Sequence, residues 1–92
     1  MLERRVEVKN RLGLHARAAA RLVRVASEYA SGIRLERVDG SAAADAKSIL
    51  SVLLLAASRG TALRLTVAGA DEAEALTAVC ELFEHGFGEE QE

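Results

Sequence analysis

Hydrophobic and charged residues alternate in three stretches of the chain, and this alternation predicts strands that are buried on one side only. The stretches are Arg5–Lys9, Ile33–Val38 and Ala62–Ala68. A fourth strand, built from poor strand formers, is predicted at Ser41–Ala44, because the Asp39-Gly40 pair before it is a tight-turn signal. Strands with one apolar and one charged face favour a single sheet that carries helices on one side and meets water on the other.

Three segments have apolar residues at helical spacing. The first helix is predicted to begin at Ala16 and to end at Ser31-Gly32, where glycine suits the C-terminal cap. The second helix starts with Ser48 as its N-cap and runs to about Ala57. The third opens at Asp71, and its buried face comprises Leu76, Val79, Cys80, Phe83 and Phe87. Gly86 and Gly88 weaken its end, and residues 89–92 are expected to fray.

The order strand, helix, strand, strand, helix, strand, helix indicates an α+β fold in one domain that spans residues 1–92. Half of the residues are hydrophobic, which suffices for one small core. The net charge of −2 argues against a nucleic-acid partner, and the strands lack the aromatic residues on which RNA bases stack.

The features that bear on location predict a cytoplasmic protein without a membrane segment. The single cysteine, Cys80, can form no internal disulfide and is typical of a reducing compartment. The N-terminus lacks the apolar stretch of a secretory signal. The longest apolar run, Val52–Ala57, is too short to cross a bilayer.

His15 lies where the first strand pattern has ended and the first helix pattern begins, directly after a turn to which Gly13 brings a permissive backbone. The first N–H groups of a helix lack intrahelical partners and the helix dipole is positive there, so this end stabilises a phosphate. A neutral imidazole at this position can attack phosphorus, and the guanidinium of Arg17 can bind phosphate oxygens. The alternative interpretation of His15 is a plain helix cap.

Two motifs carry a family resemblance. The sequence Gly-Leu-His-Ala-Arg at residues 13–17 and Ala-Lys-Ser-Ile-Leu at residues 46–50 resemble the HPr family, the histidine-containing phosphocarriers of the phosphoenolpyruvate-dependent phosphotransferase system. The resemblance extends from about Arg5 to about Gly88. One departure is Ala18, where the family usually has proline; alanine is a strong helix former, so the helix should survive.

This resemblance implies a fold and a function. The fold is an open-faced α+β sandwich with a four-stranded antiparallel sheet and three helices on one face. The implied function is that of a carrier rather than an enzyme. Nδ1 of His15 takes a phosphoryl group from phosphorylated enzyme I, which is charged from phosphoenolpyruvate, and passes it to an EIIA-type domain.

Two rows of side chains on the predicted helices suit a partner surface. The first helix carries a basic row that begins beside His15 and comprises Arg17, Arg21 and Arg24. The second helix cannot bury both of its apolar rows, so one row is predicted to stay partly exposed: Ile49, Leu50, Leu53 and Leu54. An apolar centre with a basic rim suits a transient interface, here with enzyme I and EIIA-type domains. We expect the protein to act as a monomer.

Ser48 has two interpretations. As a helix cap it needs no further role. The resemblance implies a second role, since the serine at this position is the target of HPr kinase/phosphorylase in many bacteria. A phosphate at a helix N-terminus would be tolerated by the fold, and its charge would weaken the docking of acidic partners.

The remaining titratable candidates have structural interpretations. His85 lies near the end of the third helix, where a cation complements the dipole, and Cys80 falls in the apolar row. The two histidines and the one cysteine are too far apart for metal-ligand spacing, so we expect neither a metal nor a cofactor.

Two alternatives to the sugar-transport carrier stay open. The first is a regulatory binding module of the same fold that carries no phosphate. The second is the nitrogen-related carrier NPr, to which the segments at residues 10–15 and 81–87 are similar, whereas the Ala-Lys-Ser-Ile segment is closer to HPr of the sugar system.

Overall fold

The elements of the chain follow the predicted order in a computed structural model that describes residues 1–89. They are strand β1 (Leu2–Glu7), helix α1 (Ala16–Ala26), strands β2 (Gly32–Arg37) and β3 (Ala43–Asp45), helix α2 (Ile49–Leu54), strand β4 (Ala62–Ala68) and helix α3 (Glu72–Glu84). A short 3₁₀ turn, Gly86–Gly88, follows α3. The alternation of β4 gave the right bounds for that strand.

The four strands form one antiparallel sheet in the order β1-β4-β2-β3. In β4, Leu63, Leu65 and Val67 are buried, and the residues between them are partly exposed. The register sets Leu65 opposite the buried Leu35 of β2, so the apolar rows of neighbouring strands meet. This arrangement confirms the predicted open-faced α+β sandwich.

The outer face of the sheet is polar. Arg64 of β4 lies between the two neighbouring strands and pairs with Glu3 of β1 at 3.0 Å and with Glu36 of β2 at 3.3 Å. The buried residues form one hydrophobic cluster on the other side, beneath the helices. The candidate functional side chains therefore lie in the helical layer and its loops.

The end of the described chain is anchored in that core. Phe87 is buried beyond the end of α3, and its ring meets the ring of Phe83 edge to face with centroids 4.9 Å apart. Phe87 has a positive φ of 59°, so the backbone turns sharply there. The predicted burial of Phe87 is confirmed, but its predicted place in the third helix is wrong, because α3 ends at Glu84. The turn brings the following residues back towards α1.

Helix α1 is shorter than predicted, and the Asp71 carboxylate binds part of the backbone that was expected to continue it. The helix ends at Ala26. The Asp71 carboxylate accepts hydrogen bonds from the backbone N–H groups of Ala30 and Ser31, both at 2.9 Å. A contact across about 40 residues of sequence has no signature in the local periodicity.

The ends of other elements also differ from the prediction, and strand β2 begins and ends one residue earlier than Ile33–Val38. Helix α2 ends at Leu54 rather than near Ala57, since the chain turns at Ala56 with φ 51°. Strand β3 begins at Ala43 because Ser41 stays in the turn, where its backbone N–H donates to the Asp39 carboxylate at 2.9 Å. Strand β1 runs over Leu2–Glu7 rather than Arg5–Lys9, because its pairing with β4 extends to the first residues of the chain.

Among the helices of residues 1–89, none combines the length and apolar character that crossing a membrane requires.

Candidate functional site

His15 is the N-cap of α1. Its backbone is extended, with φ −79° and ψ −176°, and its Nδ1 accepts the backbone N–H of Arg17 at 3.3 Å. About a quarter of the side chain is exposed, at 26%. The imidazole therefore lies at the positive end of the helix, and the edge that bears Nδ1 faces the free backbone amides. Ala18 is fully buried in the first turn, and the helix forms without the proline, as expected.

The loop before His15 is fixed by close backbone packing. Gly13 has φ +69°, a conformation in which a side chain is strained. A β-carbon on Gly13 would also lie 2.6 Å from the carbonyl oxygen of Ala57. The next residue, Leu14, donates its backbone N–H to that same oxygen at 2.9 Å. The segment after α2 thus holds the loop that presents His15.

Glu89 contacts the other ring nitrogen. Its Oε2 lies 2.6 Å from Nε2 of His15, and its side chain is only 11% exposed. The expected fraying does not hold for Glu89; residues 90–92 of that prediction lie outside the described part of the chain. Partial burial alone would raise the pKa of the Glu89 carboxyl, but hydrogen bonds from Asn10 and His15, with the positive charge of Arg17, hold that pKa below its ordinary value.

Asn10 completes this cluster from beneath. It is fully buried, and its Nδ2 donates to Oε1 of Glu89 at 2.9 Å and to the carbonyl oxygen of Gly13 at 2.7 Å. Neither Asn10 nor Glu89 was among the residues proposed from the sequence. Their side chains meet across 79 residues of sequence, so the local pattern held no signal for this contact.

The predicted basic row divides into two parts. Arg17 and Arg24 are exposed on α1, as expected. Arg21 is half-buried, and its Nη1 donates to the carbonyl oxygen of Phe87. The Arg21 guanidinium therefore ties α1 to the C-terminal turn, while its predicted part in the basic row stays a prediction.

The apolar row of α2 is exposed. Its four residues are between 38% and 71% exposed. We call them the leucine surface: Ile49, Leu50, Leu53 and Leu54. On the other side of the helix Val52 and the C-cap Leu55 are buried, whereas the next residue, Ala56, is exposed. Helix α2 packs against α1, and Leu12, in the loop before His15, is a further exposed apolar residue that the sequence reasoning missed.

Ser48 caps α2 as predicted. Its Oγ accepts the backbone N–H of Ser51 at 3.3 Å, and the residue is half-buried. Cys80 is buried in the core as expected, and burial raises the pKa of its thiol. His85 is the exposed C-cap of α3. Within residues 1–89 no group of three or more histidine, cysteine or acidic side chains is arranged to hold a metal ion.

Comparison with known proteins places this arrangement among phosphocarriers. Residues 2–85 match the sequence model of the family described as "PTS HPr component phosphorylation site". Phosphocarrier protein HPr of Xylella fastidiosa (strain Temecula1) is 47% identical over 90 residues, which cover 98% of this chain and 99% of the relative. Phosphocarrier protein NPr of Proteus mirabilis is 39% identical over 87 residues, which cover 95% and 96%.

The fold comparison agrees with the sequence comparison. A crystal structure of HPr-C-His from Thermoanaerobacter tengcongensis superposes with a TM-score of 0.91 at 42% identity, covering 98% of this chain and 99% of the other. A structure described as an HPr dimer from the same organism has a TM-score of 0.75 at 42% identity, covering 97% and 100%.

Proposed function

The chain belongs to the HPr/NPr family of phosphocarriers of the phosphotransferase system, and we propose that His15 is the residue that carries its phosphoryl group. In this proposal phosphorylated enzyme I supplies the group in the cytoplasm, and an EIIA-type domain accepts it. The observation that carries the proposal is the position of His15 as the partly exposed N-cap of α1.

The chemistry follows from that position. A phosphoryl group on Nδ1 would lie against the first backbone N–H groups of α1, and the Arg17 amide that now reaches Nδ1 would donate to a phosphate oxygen instead. The positive end of the helix dipole stabilises the bound dianion, and the exposed Arg17 guanidinium adds a charge-assisted donor. An N–P bond keeps a high transfer potential, so the group can be passed on.

The partner surface combines the leucine surface with Arg17 and Arg24. Exposed apolar side chains mark interaction sites, and a basic rim attracts acidic partners and speeds their association. Enzyme I and EIIA-type domains would use this surface in turn, so each complex must be short-lived. We assign this role to the monomer; a solution mass equal to two chains at working concentration would contradict that assignment.

Ser48 is proposed as a site for HPr kinase/phosphorylase. Its hydroxyl already lies at the N-terminus of α2 and accepts a backbone N–H, so a phosphate oxygen could take the same donor. The added charge would lie beside Ile49, at the start of the leucine surface, and would repel an acidic partner.

The decisive experiment is phosphorylation in a defined mixture. The protein is incubated with phosphoenolpyruvate and enzyme I, and the product is assayed for phosphate that is stable to base and labile to acid. We expect such a phosphate on the native protein and on the control variant His85→Ala, but not on His15→Ala. Transfer from the phosphorylated protein to EIIA domains of the sugar and nitrogen systems then separates the HPr role from the NPr role.

A docking module that carries no phosphate is the second candidate. It is favoured by one observation: both ring nitrogens of His15 already have partners, Arg17 on one side and Glu89 on the other. Absence of acid-labile phosphate on the native protein, with enzyme I shown to be active on a known HPr, would replace the carrier proposal with this one.

A further inference from the structure

The contacts around His15 define which ring nitrogen bears the proton. An ionised carboxylate only accepts hydrogen bonds, so the 2.6 Å contact between Oε2 of Glu89 and Nε2 of His15 requires a proton on Nε2. The backbone N–H of Arg17 only donates, so its contact with Nδ1 requires a lone pair there. A neutral imidazole with its proton on Nε2 satisfies both contacts, whereas the other tautomer satisfies neither.

The Glu89 carboxylate is itself held in one orientation by Asn10. The Asn10 amide cannot be turned over, because Nδ2 faces two acceptors, Oε1 of Glu89 and the Gly13 carbonyl oxygen. In this orientation the buried Oδ1 of Asn10 has no hydrogen-bond partner among the described residues. A buried acceptor without a partner is unfavourable, so this geometry serves the contacts of Nδ2 at the expense of Oδ1.

A third contact brings Glu89 to the site. Arg21 of α1 donates to the Phe87 carbonyl oxygen, and Phe87 is anchored in the core. The left-handed backbone at Phe87 and at Gly88, with φ 59° and 75°, turns the chain so that the next residue, Glu89, reaches the ring. The position of the Glu89 carboxylate is therefore fixed by the Arg21 contact, the buried Phe87 and the backbone turn, and not by the side chain of Glu89 alone.

We infer that Glu89 is a positioning residue for phosphoryl transfer: with Asn10, it keeps the proton of His15 on Nε2 and so reserves the lone pair of Nδ1 for phosphorus. This inference rests on the proposed function. It deepens that function by explaining in this chain why Nδ1 and not Nε2 would be the nucleophile.

The transfer step balances with these groups alone. The Nδ1 lone pair forms the N–P bond while the bond between phosphorus and the donor breaks, and its electron pair leaves with the donor. The ring keeps its proton on Nε2 and becomes cationic, and the Glu89 carboxylate faces that charge. When the group passes to an acceptor, the electrons of the N–P bond return to the ring, and no proton has to enter or leave.

The variant Glu89→Gln tests the inference because the carboxylate accepts hydrogen bonds from both Asn10 and His15, whereas an amide has only one accepting oxygen. If the Gln oxygen accepts from Asn10, its NH₂ group faces Nε2 and favours a lone pair there, with the proton on Nδ1. If the oxygen accepts from Nε2 instead, two NH₂ groups oppose each other. The substitution should therefore shift the ring towards the tautomer with its proton on Nδ1, in which Nδ1 has no lone pair with which to attack phosphorus.

Two readouts are required on the full chain labelled with ¹⁵N. NMR of the His15 ring nitrogens at a pH where the ring is neutral measures the tautomer, and we expect the Nε2–H fraction to fall in Glu89→Gln. The rate of phosphoryl transfer from enzyme I should fall roughly tenfold, by analogy with the loss when hydrogen-bond partners of a metal-ligating histidine are removed. Glu84→Gln, a change of equal charge at an exposed position of α3, should leave both readouts unchanged.

The outcomes distinguish the role of Glu89 from the proposed function of the chain. An unchanged tautomer or an unchanged transfer rate in Glu89→Gln would overturn the role of Glu89, even if the native protein is phosphorylated on His15. Absence of phosphate on the native protein would overturn the proposed function, while the NMR measurement would still report whether Glu89 sets the tautomer.

Discussion

Gly13 and Ala57 approach so closely that a β-carbon on Gly13 would lie 2.6 Å from the Ala57 carbonyl oxygen. This oxygen also accepts the backbone N–H of Leu14, so one carbonyl beyond α2 determines the path of the chain into His15. The segment that follows the leucine surface and the loop that presents the imidazole are thus one packed unit.

Gly13→Ala should therefore be strongly destabilising. We expect the free energy of unfolding to fall by about 2–5 kcal/mol, because a left-handed backbone is unfavourable for alanine and the methyl group would clash with Ala57. Gly40→Ala is the matched control: φ is +80° there, but nothing lies within 4 Å of the added carbon. That variant should lose only about 1–2 kcal/mol. Equal losses in urea unfolding would show that the close approach to Ala57 contributes nothing.

Leu50→Glu should slow phosphorylation by enzyme I without unfolding the protein. Leu50 is 65% exposed, so the charge has no cost in the core, but it would lie within the leucine surface. We expect the KM of enzyme I for this carrier to rise roughly tenfold. The control is Val38→Glu, which adds the same charge at an exposed apolar residue outside α2. Transfer kinetics equal to those of the native protein would remove the leucine surface from the interface.

Two substitutions of Ser48 should separate its structural and regulatory roles. Ser48→Ala removes the acceptor for the Ser51 N–H and should lower the free energy of unfolding by about 1 kcal/mol, with little change in transfer. Ser48→Asp keeps a capping oxygen but adds charge, so stability should be retained while transfer from enzyme I slows. Melting curves and initial transfer rates measured on both variants test this. If Ser48→Asp transfers as fast as the native protein, a phosphate at Ser48 would not act through charge.

Asp71 gives the fold a predictable response to acid. Hydrogen bonds from the Ser31 hydroxyl and from the Ala30 backbone N–H hold the pKa of the Asp71 carboxyl below its ordinary value of 3.8. A carboxyl whose pKa is lower in the folded state stabilises the fold fully above its ordinary pKa, and this contribution is lost as the pH falls through the folded-state value. Asp71→Asn should therefore melt at a lower temperature at neutral pH and lose less on acidification from about pH 5 to about pH 2.

Ser31→Ala serves as the companion variant because it removes the first of these donors while leaving the carboxylate in place. In this variant the pKa of the Asp71 carboxyl should lie closer to its ordinary value, so the melting temperature should fall at a higher pH on acidification. Parallel melting curves for the native protein and Asp71→Asn across that pH range would contradict the assignment.

The parts of the molecule that the sequence predicted are those governed by local periodicity. Alternation located β4 to the residue, and helical spacing located the three helices, although α3 ends before Phe87. The cap at Ser48 and the exposed row on α2 were predicted from residue type and from the limited area that a short helix can bury. Each of these depends on neighbours within a few positions along the chain.

The parts that were missed depend on contacts between residues distant in sequence. Asp71 binds the backbone beyond the end of α1, and the Arg21 guanidinium donates to the Phe87 carbonyl oxygen. Glu89 was assigned to a frayed end, since nothing near it in the sequence announces a buried partner such as Asn10. His15 was found from its place at a helix start, but the environment of its second nitrogen required the fold.

The burial of Cys80 makes the chain well suited to site-specific labelling. It is the only thiol in the sequence, it is 8% exposed, and burial raises its pKa, so maleimide reagents would react with it slowly. A cysteine introduced at the exposed Arg34, on the polar side of the sheet, would then be labelled by a fluorophore much faster than Cys80. Such a probe would follow partner encounters by anisotropy while the helical layer stays unmodified.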